Sequence, residues 1–124
     1  MWKRQDIERY LKERVCQSDQ DDCIIFYGSL YELAGINAED IGQRQRIHDL
    51  LGEISEDEVV QGRPLLSVIV VTQDTYMPGR GFFNLAQRLL PEQYTGQSQE
   101  TIFMGELKRV KALKHLYCEQ TGNE

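Results

Sequence analysis

The chain has 124 residues, a length that suits one domain with one hydrophobic core. Its net charge of -6 argues against a broad basic surface for nucleic acid. Apolar residues make up 40% of the sequence, enough for a folded protein, and no apolar run is long enough to cross a membrane. We therefore expect a single globular domain over residues 1–124, without a membrane segment and with residues 119–124 as a frayed tail.

The N-terminal segment is predicted to form a helix over residues 2–15, because its apolar residues fall on one face: Ile7, Tyr10, Leu11 and Val15. The segment is charged throughout and lacks the apolar centre of a signal peptide, so we expect a cytoplasmic protein. Three cysteines, an odd number, fit a reduced compartment better than a disulfide scaffold. The acidic stretch at residues 17–22 indicates a solvated loop.

Residues 23–35 predict a short strand followed by a short helix. Ser29 and Glu32 have the spacing of a capping box, and Gly35 is a suitable helix end. A second helix is predicted from apolar residues at helical spacing: Ile47, Leu50, Leu51 and Ile54. A new turn is predicted to begin at Ser55, and its acidic residues indicate a solvated face: Glu56, Asp57 and Glu58.

Residues 62–90 contain the longest apolar run, and we expect the rest of the chain to pack around them. The run is mostly β-branched and predicts a buried central strand at Leu66–Thr72. A loop and a helix that ends before Pro91 follow, and the longest helix is predicted at Gln99–Tyr117. Together these elements predict an α+β fold, a single small domain with about five helices around a small sheet.

The order of the first elements, helix, strand, helix, turn, helix and strand, is winged-helix-like. In a helix-turn-helix the second helix enters the major groove of DNA. Gln43, Arg44 and Arg46 lie in the first half of that helix, where they could reach bases or phosphates. The alternative is an ordinary exposed polar face, which the acidic neighbours Asp40 and Asp49 favour.

Two segments carry a family resemblance, FYGSLYELAGI at residues 26–36 and RPLLSVIVV at residues 63–71. Tyr27 and Gly28 match a Thr-Tyr-Gly pattern that opens a helix, and Pro64 matches a proline that leads into a strand. In these features the chain resembles the winged-helix domain of the alkyltransferase-like and O6-alkylguanine alkyltransferase family. The resemblance covers about residues 20 to 90 and implies a winged-helix topology.

The same comparison shows where the chain departs from that family. Leu65 stands where the family has its reactive cysteine, and Leu66 and Ser67 stand where it has histidine and arginine. Because the nucleophile is absent, the resemblance does not imply alkyl-transfer activity for any residue here.

A glycine-rich loop precedes the predicted helix of residues 82–89. Gly79, Arg80 and Gly81 could form an anion site from backbone N–H groups, the helix dipole and a guanidinium. The alternative is a tight turn that uses glycine for its backbone angles and leaves Arg80 solvated. Neither a Walker loop nor a dinucleotide fingerprint is present.

Metal binding and catalysis have little support in the sequence. Four residues could surround zinc, but the C-x6-C spacing is not typical of a zinc site: Cys16, Cys23, His115 and Cys118. Only His48 and His115 are available as histidine bases, and neither lies in a nucleophile motif. We predict no catalytic residue, no metal and no cofactor, and enzymatic activity stays open with its absence favoured.

Three functional hypotheses follow. The first is a non-catalytic binding protein, an inhibitor, immunity or accessory factor, whose acidic surface engages a protein partner. The second is a winged-helix DNA-binding protein that reads through Gln43, Arg44 and Arg46. The third is a small ligand- or phosphate-binding domain that uses the Gly79–Gly81 loop. The sequence favours the first and leaves nucleic-acid binding and the oligomeric state open.

Overall fold

The computed structural model describes residues 1–18 and 23–120, and the fold is mostly helical, with 70% helix and 3% strand. Within those residues the chain forms seven α-helices: α1 Arg4–Gln17, α2 Tyr27–Ala34, α3 Ile41–Val60, α4 Arg80–Leu89, α5 Pro91–Tyr94, α6 Gln99–Ala112 and α7 Lys114–Gln120. The remaining regular elements are two strands and one 3-10 helix: β1 Ile25–Phe26, β2 Val70–Val71 and the 3-10 helix Leu66–Ile69. The helices predicted from apolar periodicity are present, and Gly35 ends α2 with a φ of 76° as expected.

The predicted α+β class is wrong. The expected central strand Leu66–Thr72 is instead the 3-10 helix followed by a strand of two residues, Val70–Val71, which pairs in parallel with β1. The described sheet therefore has two strands of two residues each, without the antiparallel hairpin of a winged helix. The physical reason is that a run of residues buried on all sides has no periodicity to separate a strand from a helical turn.

Two backbone N–H groups at the start of this segment donate to side chains rather than to a neighbouring strand. Leu65 N–H donates to Oε1 of Glu106 on α6 at 2.9 Å, and Ser67 N–H donates to Oγ of Ser55 on α3 at 3.0 Å. Both acceptors are buried, so they satisfy groups that would otherwise be costly to bury. Helices α1, α3 and α6 pack against the segment, which confirms that it organises the core.

Helix α3 is one continuous element of 20 residues, and the predicted turn at Ser55 is absent. Ser55 is buried and lies 2.7 Å from the hydroxyl of Ser67. Glu58 was predicted on a solvated face, but it is only 1% exposed and accepts two hydrogen bonds from Arg63, at 2.8 and 2.7 Å. Lys12 lies 3.4 Å from the same carboxylate. The acidic pattern gave no sign of these partners, since Lys12 comes from α1.

The other two acidic residues of the predicted solvated face do lie at the surface. Glu56 pairs with Arg88 at 2.9 Å, and Asp57 pairs with Arg4. Part of the acidic face of α3 is therefore neutralised within the molecule.

The terminal helices are joined by a disulfide, which corrects the expectation of reduced cysteines. Cys16 on α1 and Cys118 on α7 are bonded, with their Cα atoms 4.8 Å apart, while Cys23 is buried and takes no part in this disulfide. Helix α7 reaches Gln120, so part of the predicted frayed tail is helical. The rest of that tail, residues 121–124, and residues 19–22 of the predicted acidic loop lie outside the described residues.

The predicted long helix Gln99–Tyr117 is interrupted at Leu113, which separates α6 from α7. The short helix α5 follows α4 and begins at Pro91. None of the helices in the described part of the chain has the length and apolar composition needed to span a membrane.

Candidate ligand-binding cleft

A cleft of about 640 Å³ lies where α2, the first half of α3 and the loop between β2 and α4 meet. We call it the Arg44 cleft. Arg44 lines it together with six other residues that carry its aromatic, polar and charged groups: Phe26, Tyr27, Tyr31, His48, Asp74 and Gly79. Two residues predicted to bind, Arg44 and Gly79, thus come together although they are far apart in sequence. Its volume falls in the range of small-molecule sites.

Arg44 is half-buried in this wall, and its side chain makes no hydrogen bond or ion pair with any residue in the described ranges. Other arginines differ in this respect, because four of them pair with carboxylates: Arg4, Arg63, Arg88 and Arg109. A guanidinium without an anionic partner retains donors that a ligand can use.

Three rings next to Arg44 form a cluster that the sequence analysis missed. The hydroxyl of Tyr31 lies 2.7 Å from Nε2 of His48, and the ring of Tyr27 lies 4.8 Å from the ring of His48, centroid to centroid. Tyr27 and Tyr31 are four residues apart on α2 and therefore share one face, which packs on α3. This spacing of the two tyrosines was the feature of the sequence that could have indicated the cluster. It does not reveal which helix their shared face contacts.

The ionisation of the cluster follows from its burial. Burial lowers the pKa of His48; the charge of Asp49 opposes this shift in part, and the charge of Arg44, a smaller effect than that of Asp49, adds to it. Burial also raises the pKa of Tyr27 and of Tyr31. At neutral pH all three rings are thus uncharged, and the cluster offers hydrogen-bonding groups beside a single cation.

The glycine-rich loop is attached to the same cluster. Gly79 N–H donates to the hydroxyl oxygen of Tyr27 at 3.1 Å, so this N–H is already used and does not point free into an anion site. Gly79 lines the Arg44 cleft and, together with Arg80, a neighbouring cleft of about 590 Å³, whereas Gly81 lines a third cleft of about 440 Å³. The three residues predicted as one anion site therefore do not share a single cleft.

The other two residues of the DNA hypothesis do not join Arg44. Gln43 is occupied at the start of α3, where its Oε1 accepts from Asn37 N–H at 2.7 Å and its Nε2 donates to Asp40 at 3.3 Å. Arg46 is exposed and is not part of the Arg44 cleft. Only Arg44 among the three faces the cleft.

The metal hypothesis can be compared directly with the geometry. Two of its four candidate ligands, Cys16 and Cys118, are bonded to each other. Among residues 1–18 and 23–120, no group of three or more His, Cys, Asp or Glu side chains is arranged to hold a metal ion.

Comparison with known proteins adds no further guide to this site. No family model, no curated protein and no solved structure matches the chain. Leu65 and Leu66, which stand where the alkyltransferase family has its reactive cysteine and histidine, are fully buried in the core.

Proposed function

We propose that the protein is a non-catalytic binding protein whose ligand enters the Arg44 cleft and presents an anionic group to Arg44. The observation that carries the proposal is Arg44, a half-buried residue with an unpaired guanidinium in the wall of a cleft of about 640 Å³. This is the ligand-binding hypothesis of the sequence, with the anion-binding group moved from the Gly79–Gly81 loop to helix α3.

The chemistry of the anion follows from the donor. A guanidinium is planar and offers two parallel N–H groups, which match the oxygen pairs of a carboxylate or a phosphate. Partial burial strengthens such a pair, because water screens it less than at an open surface. Tyr31 and His48 lie beside Arg44 and supply neutral hydrogen-bonding groups for the rest of the ligand.

The protonation states favour binding over catalysis. With raised pKa values, the hydroxyls of Tyr27 and Tyr31 stay protonated near pH 7 and act as donors rather than as bases. The Tyr27 oxygen already accepts from Gly79, so this ring positions the loop.

The other two hypotheses, a protein partner and DNA, receive less support from the geometry. The protein-partner hypothesis stays a prediction, and the pairing of Glu56 and Asp57 with arginines reduces the free acidic surface that it needs. The DNA hypothesis relied on a winged helix, and the described sheet lacks the antiparallel hairpin of that fold, so we do not propose it.

The test is a thermal-shift titration with inorganic phosphate at constant ionic strength. A ligand that binds the folded state raises the melting temperature, and a variant that does not bind loses this rise. We expect a rise for the wild type and for Arg46→Ala, and none for Arg44→Ala. Arg46 is a matched control because it lies on the same helix, outside the cleft.

Two results would count against the proposal. One is an equal rise in Arg44→Ala and wild type, which would place phosphate elsewhere. The other is the absence of any rise in the wild type with phosphate and with acetate, the simplest carboxylate. An Arg44→Lys variant is expected to respond weakly, because lysine keeps the charge and loses the two parallel donors.

A further inference from the structure

We infer that the Arg44 cleft selects a zwitterionic ligand of amino-acid size, one that carries an ammonium group as well as a carboxylate. The inference rests on the proposed function and adds the chemical class of the ligand. It depends on a second unpaired charge in the same cleft, the carboxylate of Asp74.

Asp74 belongs to the loop between β2 and α4, whereas Arg44 belongs to α3. The Asp74 side chain makes no hydrogen bond or ion pair with any residue that the structure describes, and it does not pair with Arg44. The cleft thus contains one cation and one anion that come from different elements and do not neutralise each other.

Hydrogen bonds between residues on either side of Asp74 close the loop that carries it. Thr72 N–H donates to the carbonyl of Met77 at 2.9 Å, and Tyr76 N–H donates to the carbonyl of Thr72 at 2.9 Å. Thr75 N–H donates to the hydroxyl of Thr72 at 3.2 Å. These bonds fix the turn before any ligand arrives, and a fixed group binds at a lower entropic cost than a mobile one.

Two opposite, separated charges favour a particular kind of ligand. A simple anion is attracted by Arg44 but repelled by Asp74, and a simple cation is attracted by Asp74 but repelled by Arg44. A molecule that carries both charges is attracted at both ends, so we expect the cleft to bind it more tightly than either simple ion. The volume of about 640 Å³ accommodates a small amino acid, with Phe26 and Tyr31 beside its carbon chain.

The experiment compares pairs of probes that differ only by an ammonium group. The pairs are glycine with acetate, β-alanine with propionate, and γ-aminobutyrate with butyrate, so that three charge separations are covered. Affinities are measured by amide chemical-shift titration at constant ionic strength. For at least one pair we expect the wild type to bind the zwitterion about threefold or more tightly than the plain acid, the size typical of an exposed ion pair.

Three variants test which residue causes the preference for the zwitterion. Asp74→Asn is expected to abolish it, with weaker binding of the zwitterion and stronger binding of the plain acid. Asp49→Asn is the control, because Asp49 is also exposed and lies on α3 outside this cleft. It should keep the preference, and Arg44→Ala should weaken both members of the pair.

The outcomes separate this inference from the proposed function. Arg44-dependent binding without an ammonium preference, or a preference that survives in Asp74→Asn, overturns the inference and leaves the proposed function in place. If no carboxylate binds and phosphate binds independently of Arg44, both fail.

Discussion

The hydroxyl oxygen of Tyr27 accepts a hydrogen bond from Gly79 N–H at 3.1 Å, across 52 residues of sequence. This bond connects helix α2 to the start of α4, on one wall of the Arg44 cleft. Tyr27 also stacks near His48 on α3, with ring centroids 4.8 Å apart. One side chain therefore holds three elements of the candidate site in place.

Tyr27→Phe should destabilise the fold and loosen the loop. The variant keeps the ring and removes the acceptor of Gly79 N–H, which costs about 1 kcal/mol for one partly buried hydrogen bond. Urea denaturation measures the change, and faster hydrogen exchange at Gly79 locates it. Tyr76→Phe is the control, since Tyr76 is 54% exposed. An unchanged exchange rate at Gly79 in Tyr27→Phe would show that the bond does not hold the loop.

Reduction of the Cys16–Cys118 disulfide should lower stability. The bond links residues 102 apart in sequence, and a loop of that length corresponds to a stabilisation of about 4.7 kcal/mol in the chain-entropy estimate. We expect a lower urea midpoint with reductant than without it. The Cys16→Ser/Cys118→Ser double variant should have the low midpoint in both conditions. Identical midpoints for the wild type with and without reductant would contradict the disulfide.

Loss of the buried Glu58 charge should be far more costly than loss of a surface charge. In Glu58→Gln the charges of Arg63 and Lys12 lose their buried partner, and breaking a buried pair costs about 3–5 kcal/mol. Glu56→Gln removes an exposed pair with Arg88 and should cost less than about 1 kcal/mol. Equal effects of the two variants on the unfolding free energy would place Glu58 at the surface, where the sequence analysis put it.

These residues show how far the sequence could lead. Helix α3 was predictable because Ile47, Leu50 and Ile54 repeat at helical spacing and face the core. The segment 66–69 was not, since its conformation depends on partners distant in sequence, among them Glu106, 41 residues from Leu65. A buried carboxylate cannot be recognised from acidic composition alone.

The site was predictable in part and for similar reasons. Arg44 and Gly79 were chosen from charge and from glycine content, and the fold brings both to one cleft. The contact of Tyr31 with His48 depends on how α2 packs on α3, which neither helix reveals by itself. The unpaired state of Asp74 likewise becomes visible only once the other charges have found partners.

Stability should fall as the pH drops below about 6.5, in part because of His48. Burial lowers the pKa of His48 in the folded state from its ordinary value of 6.5. Between that value and the lower folded pKa, the unfolded chain binds a proton that the folded protein does not. The contribution is fully present above pH 6.5 and is lost as pH falls through the folded pKa.

Unfolding free energies measured from pH 8 to pH 5 test whether stability falls as the pH is lowered. His48→Gln should show a shallower slope in that range than the wild type. Equal slopes for the wild type and His48→Gln would mean that this ring is not shielded as its contacts indicate.

The central claim is that an anion binds at Arg44, and an amide chemical-shift titration with inorganic phosphate at constant ionic strength tests it most directly. We expect saturable shifts at the amides that surround the cleft, Arg44, His48 and Gly79, and their loss in Arg44→Ala but not in Arg46→Ala. Shifts confined to Arg46 or to Arg80, or an unchanged response in Arg44→Ala, would contradict the account.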